Sequence, residues 1–243
     1  FVGLTLSTLG AYVLIQWEGS AKLVHESTHS YALIPNGKTL NVRVEYKELQ
    51  PETQGFSFAK SVIEVQKFWN SWWETGAFVD FGDCKDVRAK ELERRTVLSQ
   101  YLTFINCANE TPAQETGLTY NSWFGRPHLE MTWWHTIDFS LWNRPEVLET
   151  MLEWYNDKAY PEAKKIAERQ NFKGIRWMKM TDPWAGESPS NVGSFLTWQQ
   201  PHYIYMAEEM WRNVCAKPGV TEDEKKAIIA KYGKNAEGTA AFF

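Results

Sequence analysis

The sequence predicts a mainly α-helical protein whose first fifty residues form a short β element. Two observations carry this prediction. Up to about residue 50, apolar residues come in short β-type runs separated by turn residues, and from Phe56 onward they recur at the spacing of one helix face. The 243 residues are enough for one large domain, or for one domain plus a piece of another.

The first fifty residues contain strand-like runs at 12–17, 22–24, 31–34 and 39–46. The pair Asn36-Gly37, which lies between the last two runs, predicts a hairpin turn. Because two or three strands alone are only marginally stable in water, we interpret residues 1–50 as the C-terminal strands of a β-sandwich.

Residues 51–85 are predicted to form a linker and a linker helix. The buried face of this helix is expected to contain Phe58, Val62, Val65 and Trp69. A second helix, from about Asp86 to Cys107, is expected to point a larger apolar set inward, namely Leu92, Val97, Leu98, Tyr101, Leu102 and Ile105.

The remainder of residues 86–243 is predicted to consist of helices and one long irregular segment, residues 172–197. Loops of that length are usually functional or disordered, and the aromatic residues of this one argue against disorder. Short connections favour antiparallel helix pairs. The predicted helices are His128–Trp142, Glu146–Asp157, Pro161–Asn171, one from Trp198 or Pro201 to Val214, and Thr221–Ala236, which begins with a capping-box signature.

The composition excludes several classes of partner. The net charge is −4 with no basic run, so nucleic acid and anionic membranes are poor partners, and no apolar run approaches the roughly 18 residues of a membrane span. Three widely spaced cysteines predict neither a disulfide framework nor a zinc site, and we expect no metal and no cofactor. The location is not determined by the sequence, although a periplasmic or extracellular one is slightly favoured.

The unusual feature is the content of 13 tryptophans, which is typical of carbohydrate-active proteins because sugar rings lie flat on indoles. Many lie in three clusters that precede or open helices, together with carboxylates, amides and basic groups. The first cluster is Glu115, Asn121, Trp123, Arg126, His128 and Glu130, followed by Trp133 and Trp134; the second is Arg176, Trp177, Lys179, Asp182, Trp184 and Glu187; the third is Trp198, Gln199, Gln200, Pro201 and His202.

A barrel of helical hairpins would gather these clusters at one end and supply the groups that glycosidic-bond chemistry needs. Each cluster alone also has a structural interpretation. Trp133 and Trp134 could be core residues, Gln199-Gln200 could cap a helix, and Arg176 could pair only with a neighbouring carboxylate.

A set of motifs between about residues 85 and 240 resembles bacterial members of the six-hairpin glycosidase superfamily, which includes α-L-fucosidase-type hydrolases and maltose and kojibiose phosphorylases. The motifs are ELERRTVLSQYLTFINCA, PAQETGLTYNSWFGRPHLEMTWWH, GIRWMKM followed by GESPS, and TWQQPHYIYMAEEMWR. The resemblance implies a β-sandwich, a helical linker and an (α/α)6 barrel, of which residues 86–243 would be the N-terminal portion.

The resemblance also implies roles for individual residues. The segment from Gly174 to Glu187 resembles a phosphorylase segment that lines the sugar site, and Gln199, Gln200 and His202 resemble a second one. Arg126, His128 and Glu130 stand where the fucosidase-type enzymes carry an Asn pair and a Gln. The general acid and base would lie beyond Phe243, so the rest of the polypeptide, or a partner chain, would complete the barrel.

We therefore expect a glycoside hydrolase, or a fragment of one, that binds an oligosaccharide or polysaccharide. Glu130 and Glu187 are the candidate catalytic carboxylates, although we expect them to contact substrate and not to donate the main proton. The substrate-binding candidates are Glu115, Asn121, Trp123, Arg126, His128, Trp133, Trp134, Arg176, Trp177, Lys179, Gln199, Gln200 and His202. A non-catalytic carbohydrate-binding protein and a helical interaction scaffold remain as alternatives.

Overall fold

The computed structural model describes residues 2–6, 11–47, 49, 55–118, 120 and 122–243. The chain is about 49% helical with a small strand component in two sheets, so the mainly α prediction is confirmed. Contacts divide the chain into two compact units, Phe1–Glu74 and Thr75–Phe243. Within the described part, no helix is long and apolar enough to cross a membrane.

The first unit contains the strands β1 (Val2–Leu6), β2 (Ala11–Glu18), β3 (Ala21–Ser27), β4 (Ser30–Pro35) and β5 (Asn41–Lys47). They are antiparallel and form a three-stranded sheet, in the order β1-β2-β5, and the two-stranded pair β3-β4. Glu18 lies opposite Asn41 and Ala21 lies opposite Pro35, so the strands from β2 to β5 form one long hairpin that is interrupted between these two pairs.

The predicted hairpin turn at Asn36-Gly37 is wrong. The tip of the long hairpin is at Thr28-His29, between β3 and β4, and β5 pairs with β2 instead of β4. Asn36 joins the two sides of the hairpin where the strand pairing is interrupted. Its backbone N–H donates to the Ser20 carbonyl and its side-chain amide donates to the Ser20 hydroxyl, both at 2.9 Å. Strand pairing over a distance has therefore overridden the local turn signal.

The first helix, α1 (Phe58–Glu74), belongs to the same unit and begins where the Phe58 N–H donates to a carboxylate oxygen of Glu18 at 3.1 Å. Its predicted buried face is wrong, because Phe58, Val62 and Val65 are exposed. The only described residue of α1 that is buried is Trp72.

The second unit begins with α2 (Ala89–Cys107), whose predicted inward face is also wrong. Its buried residues are Ala89, Gln100 and Cys107. The predicted inward residues Leu92, Val97, Leu98, Tyr101 and Leu102 are exposed, and Ile105 is half-buried. Apolar spacing identifies the helix face that is suited to burial, but it does not show that another element covers this face.

The core of the second unit is built by α3 (Leu129–Leu141), α4 (Pro145–Trp154), α5 (Tyr160–Arg169), α6 (His202–Cys215) and α7 (Glu222–Ala240). Only residues 142–144 join α3 to α4, and the two helices pack against each other, so they form an antiparallel hairpin. α6 and α7 form a second antiparallel pair, since the Tyr203 hydroxyl at the start of α6 donates to the Tyr232 carbonyl in the second half of α7 at 3.5 Å. Thr221 caps α7 in the predicted capping box with Glu224.

The predicted break between the fourth and fifth helices is wrong, because a π-helical turn, Tyr155–Ala159, joins α4 directly to α5. Proline at position 161 lacks an N–H and would clash with the carbonyl four residues earlier in a regular α-helix. The wider turn just before it, where the Tyr160 N–H donates to the Tyr155 carbonyl, relieves that clash.

Between α5 and α6 the chain has no helix or strand, as predicted for residues 172–197. This segment is anchored by its backbone: the Ile175 N–H donates to the Gly238 carbonyl of α7 at 2.9 Å, and the Arg176 N–H donates to the Ala163 carbonyl of α5 at 3.2 Å. Because its backbone is bound on both sides, the segment presents its side chains in fixed positions.

Candidate functional site

Short backbone bridges bring the first two sequence clusters together. His128 pairs with Met180 in an antiparallel bridge, and the Leu129 N–H donates to the Lys179 carbonyl at 2.8 Å. The Thr181 N–H donates to the Pro127 carbonyl at 3.0 Å. The start of α3 and residues 179–181 therefore lie side by side, although some fifty residues separate them along the chain.

Glu130 lies at the centre of this arrangement and is only 6% exposed. Its Oε2 is 2.7 Å from Nε2 of His128 and 3.7 Å from Nζ of Lys179. His128 and Lys179 are also buried, at 1% and 5% exposure. A charged cluster so deeply buried requires its members to be paired, and this one meets that requirement with Lys179 opposite Glu130.

The second oxygen of Glu130 holds an exposed indole. Nε1 of Trp198 donates to Oε1 of Glu130 at 2.8 Å, while 55% of the surface of Trp198 remains exposed. Trp198 lies in the third sequence cluster but was not among the predicted substrate-binding residues. Its proximity to Glu130, which is 68 positions away, leaves no signal in the local sequence.

A second exposed indole is held from the same cluster. The ammonium of Lys179 lies 4.9 Å from the ring centroid of Trp123, a cation–π contact, and the ring of His128 packs edge-on at 6.1 Å. Trp123 and Phe124 have left-handed backbone angles, with φ of 50° and 63°, and they are 52% and 86% exposed. Such angles cost roughly 1–2 kcal/mol per non-glycine residue.

The aromatic surface continues along α3 and α6. The imidazole of His202 lies 5.6 Å from the ring of Trp134 and 6.2 Å from that of Trp133, and Trp134 and Trp198 are 6.3 Å apart. Trp134 is 47% exposed, whereas Trp133 is half-buried and packs on the core. The alternative interpretation that these two tryptophans are core residues thus holds in part for Trp133 but not for Trp134. We call Trp123, Trp134, Trp198 and His202 the aromatic surface.

Two further residues of the first cluster lie nearby. Oε2 of Glu115 is 3.8 Å from Nδ1 of His128, too long for a hydrogen bond, and the Glu115 side chain is 30% exposed. Arg126 donates to the Pro189 carbonyl at 3.1 Å. Asn121, also predicted to bind substrate, lies outside the described residues.

Several predicted sugar-contacting residues lie in the interior instead. Trp177 is fully buried, packs on Tyr203 at 5.2 Å and donates from Nε1 to the Thr239 hydroxyl at 2.9 Å. Gln200 clamps the backbone of Trp177, accepting from its N–H at 2.7 Å and donating to its carbonyl at 2.6 Å. Gln199 donates to the same carbonyl at 3.3 Å. These buried side chains brace the irregular segment, because they hydrogen-bond its backbone and the neighbouring α7.

Arg176 is also buried. It is 1% exposed and donates from Nη2 to the Gly193 carbonyl at 2.8 Å, and among the described residues it hydrogen-bonds no carboxylate. Glu187 forms an ion pair with Arg169 at 2.6 Å and lines a separate cleft, which it shares with Lys179. The clusters that were expected to gather at one end therefore form two neighbouring regions, which share Lys179.

The electrostatics of the aromatic surface favour neutral imidazoles. Burial lowers the pKa of His202, although the hydrogen bond to the Leu129 carbonyl and the proximity of Glu130 act in the opposite direction. Burial likewise lowers the pKa of His135, whose Nε2 is 3.0 Å from the Glu115 carbonyl. Neutral imidazoles of this kind can exchange hydrogen bonds with sugar hydroxyls.

Among the described residues, no group of three or more His, Cys, Asp or Glu side chains is arranged to hold a metal ion. Comparisons with models of protein families, with curated proteins and with solved structures found no match to this chain.

Proposed function

We propose that this chain belongs to a glycoside hydrolase and forms part of its carbohydrate-binding surface. The observation that carries the proposal is that a buried charged cluster fixes exposed indoles. Glu130 orients Trp198 through a 2.8 Å hydrogen bond, and Lys179 packs on Trp123 at 4.9 Å. Rings that are already held in place lose little freedom when a sugar binds, and their apolar faces suit the C–H faces of sugar rings.

Two carboxylates beside the aromatic surface, those of Glu115 and Glu130, support an enzymatic role. One imidazole, that of His128, separates Glu115 from Glu130, with contacts of 3.8 Å and 2.7 Å. Glycosidases use a pair of carboxyl groups, and these two lie on either side of one imidazole. The motifs that resemble six-hairpin glycosidases, which include the residues of this surface, also support the proposal.

A second candidate is a non-catalytic carbohydrate-binding role, which one specific observation favours. Both oxygens of Glu130 are engaged, by Trp198 on one side and by His128 and Lys179 on the other. A carboxylate held in this way is a positioning group and has little freedom to exchange a proton with substrate. The scaffold alternative requires Trp123, Trp177 and Trp184 to be buried. Trp177 is fully buried, but Trp123 and Trp184 are 52% and 62% exposed, so the alternative is the weaker one.

The test is the binding of a panel of oligosaccharides by isothermal titration calorimetry, followed by an assay for released reducing sugar with the full-length natural protein. Replacing Trp123 or Trp134 with Ala should weaken binding about 5- to 100-fold, since stacked aromatic contacts contribute about 1–3 kcal/mol. Trp211→Ala is the matched control, because Trp211 is 39% exposed near the end of α6 and lies outside the aromatic surface. Equal losses in the control, or no binding at all, would reject the proposal.

A further inference from the structure

A cleft of about 260 Å³ lies next to the aromatic surface, between the end of α5 and residues 187–194. Its walls carry two basic side chains, Arg169 and Lys179, one carboxylate, Glu187, and several serine hydroxyls, including those of Ser190 and Ser194. Its volume is slightly below the usual 300–1,000 Å³ of sites for drug-sized ligands, so it suits a group the size of one sugar residue.

The cleft has an excess of positive charge. Within it, Arg169 is paired with Glu187 at 2.6 Å, and Lys179 is paired with the buried Glu130 at 3.7 Å. Arg176 adds a third cation behind the cleft wall, since its Nη2 donates to the carbonyl of Gly193, a residue that lines the cleft. Among the described residues, it has no carboxylate within ion-pair distance. Glu187 and Arg169 both lie close enough to Arg176 to shift its pKa, although burial has the largest effect and lowers it.

The unmet hydrogen-bonding capacity of Arg176 is the second observation. The side chain is 1% exposed, and Nη1 has no hydrogen-bond partner among the residues that the structure describes. A buried charged donor without a partner costs on the order of 1–3 kcal/mol or more, so such groups in folded proteins usually have a ligand, an ion or a water. Arg176 is held against the cleft wall through the Gly193 carbonyl, and an oxygen-bearing anion in the cleft would offset the excess positive charge.

We propose that this cleft binds an oxyanion carried by the carbohydrate, either the carboxylate of a uronic acid or a sulfate or phosphate ester. The inference rests on the proposed carbohydrate-binding function and specifies its substrate class as an acidic saccharide. Arg169 and Lys179 provide the charge, and the hydroxyls of Ser190 and Ser194 provide neutral donors. Binding would draw Arg169 away from Glu187 toward the ligand.

The cleft adjoins the aromatic surface closely enough for one saccharide to use both. Lys179 lines the cleft while its ammonium lies 4.9 Å from the Trp123 ring. On the same side, Arg126 packs 5.4 Å from the Phe124 ring and donates to the carbonyl of Pro189, which also lines the cleft. A sugar stacked on Trp123 would therefore place a neighbouring acidic group near Lys179.

The test compares saccharide pairs that differ only at C6, such as mannuronate with mannose oligomers and galacturonate with galactose oligomers of equal length. We expect at least one acidic oligomer to bind about 10-fold more tightly than its neutral counterpart in calorimetry, with an advantage that shrinks as salt is raised. Inorganic phosphate alone is the third probe. Equal binding of each pair would overturn the inference and leave the carbohydrate-binding function intact, whereas absence of all binding would defeat both.

Two variants locate the anion. Arg169→Gln and Ser190→Asp should each weaken binding of the acidic oligomer about 3- to 10-fold and leave the neutral one unchanged. Arg212→Gln is the matched control, since Arg212 is an exposed arginine, 61% against 62% for Arg169, that is also paired with a glutamate. Unchanged acidic binding in both variants, or phosphate alone binding as tightly as the acidic oligomer, would overturn the inference.

Discussion

The indole N–H of Trp198 donates to the buried carboxylate of Glu130 at 2.8 Å, across 68 positions of sequence. This single bond links the start of α3 to the segment that precedes α6. It fixes the position of an exposed ring, because one oxygen of Glu130 is held by His128 and the other accepts the indole N–H.

The first prediction concerns Trp198→Phe, which keeps an aromatic ring but removes the N–H donor. The ring should become less ordered, so that affinity for a bound oligosaccharide falls about 3- to 10-fold. The thermal midpoint should also fall, because Oε1 of the buried Glu130 loses its donor at a cost of about 1–3 kcal/mol. Calorimetric titration and thermal unfolding measure the two effects. Trp211→Phe should change neither quantity, and an equal loss of affinity there would contradict the orienting role of Glu130.

The second prediction concerns the buried pair of Glu130 and Lys179, whose side chains are 8% and 6% exposed. Glu130→Gln leaves the Lys179 ammonium without its carboxylate, so we expect a loss of about 3–5 kcal/mol in the free energy of unfolding. Urea denaturation measures this loss. The double variant Glu130→Gln with Lys179→Met should be more stable than Glu130→Gln alone; if it is less stable, the two charges do not depend on each other.

The third prediction concerns pH. Burial lowers the pKa of His135 and His202 from the ordinary value of 6.5. Between that value and the lower folded-state pKa, the unfolded chain binds more protons than the folded one. The stability that this shift contributes is fully present above about pH 6.5 and is lost as the pH falls toward the folded pKa.

This loss is checked by urea unfolding between pH 7.5 and 5.5. Each imidazole contributes at most about 1.4 kcal/mol per pH unit, and the double variant His135→Gln with His202→Gln should flatten the profile. Burial raises the pKa of Asp138 from 3.8, so the pH dependence of its contribution to stability has the opposite sign. That stability is present at low pH and is lost as the pH rises through the raised pKa. Asp138→Asn therefore separates the carboxyl from the imidazoles, and an unchanged slope in the histidine variant would refute the assignment.

The fourth prediction concerns Gly174, which has φ of +72° and approaches α7 closely. A Cβ atom at this position would overlap the carbonyl oxygen of Gly238, which cannot move without disrupting α7. We expect Gly174→Ala to lower the free energy of unfolding by about 3–5 kcal/mol, at the upper end for single substitutions.

Gly219→Ala is the matched control for this prediction. Gly219 has φ of +74° but nothing within 4 Å of the added Cβ, so it isolates the backbone strain, about 1–2 kcal/mol. The difference between the two variants in denaturant unfolding measures the steric overlap at α7. Equal destabilisation would show that Gly174 is required only for its backbone angle.

Much of the fold was predictable because local signals determine where elements begin. The change of spacing near Phe56 separates strands from helices, Thr221 and Glu224 mark the start of α7, and the absence of periodicity identifies residues 172–197 as irregular. The Asn36-Gly37 turn and the break before Pro161 were mispredicted because strand pairing and a π-helical turn overrode the same kind of local signal.

The residue types of the candidate site were likewise determined by the sequence: indoles, carboxylates and basic groups in segments that precede or open helices. Which of them reach the surface was decided only by tertiary structure. Trp177 is buried because its backbone is clamped by Gln200, 23 positions away, whereas Trp198 is exposed because its N–H is held by Glu130. Both residues lie in irregular segments of similar composition. Long-range contacts decide which of the two side chains is buried, and local spacing does not encode such contacts.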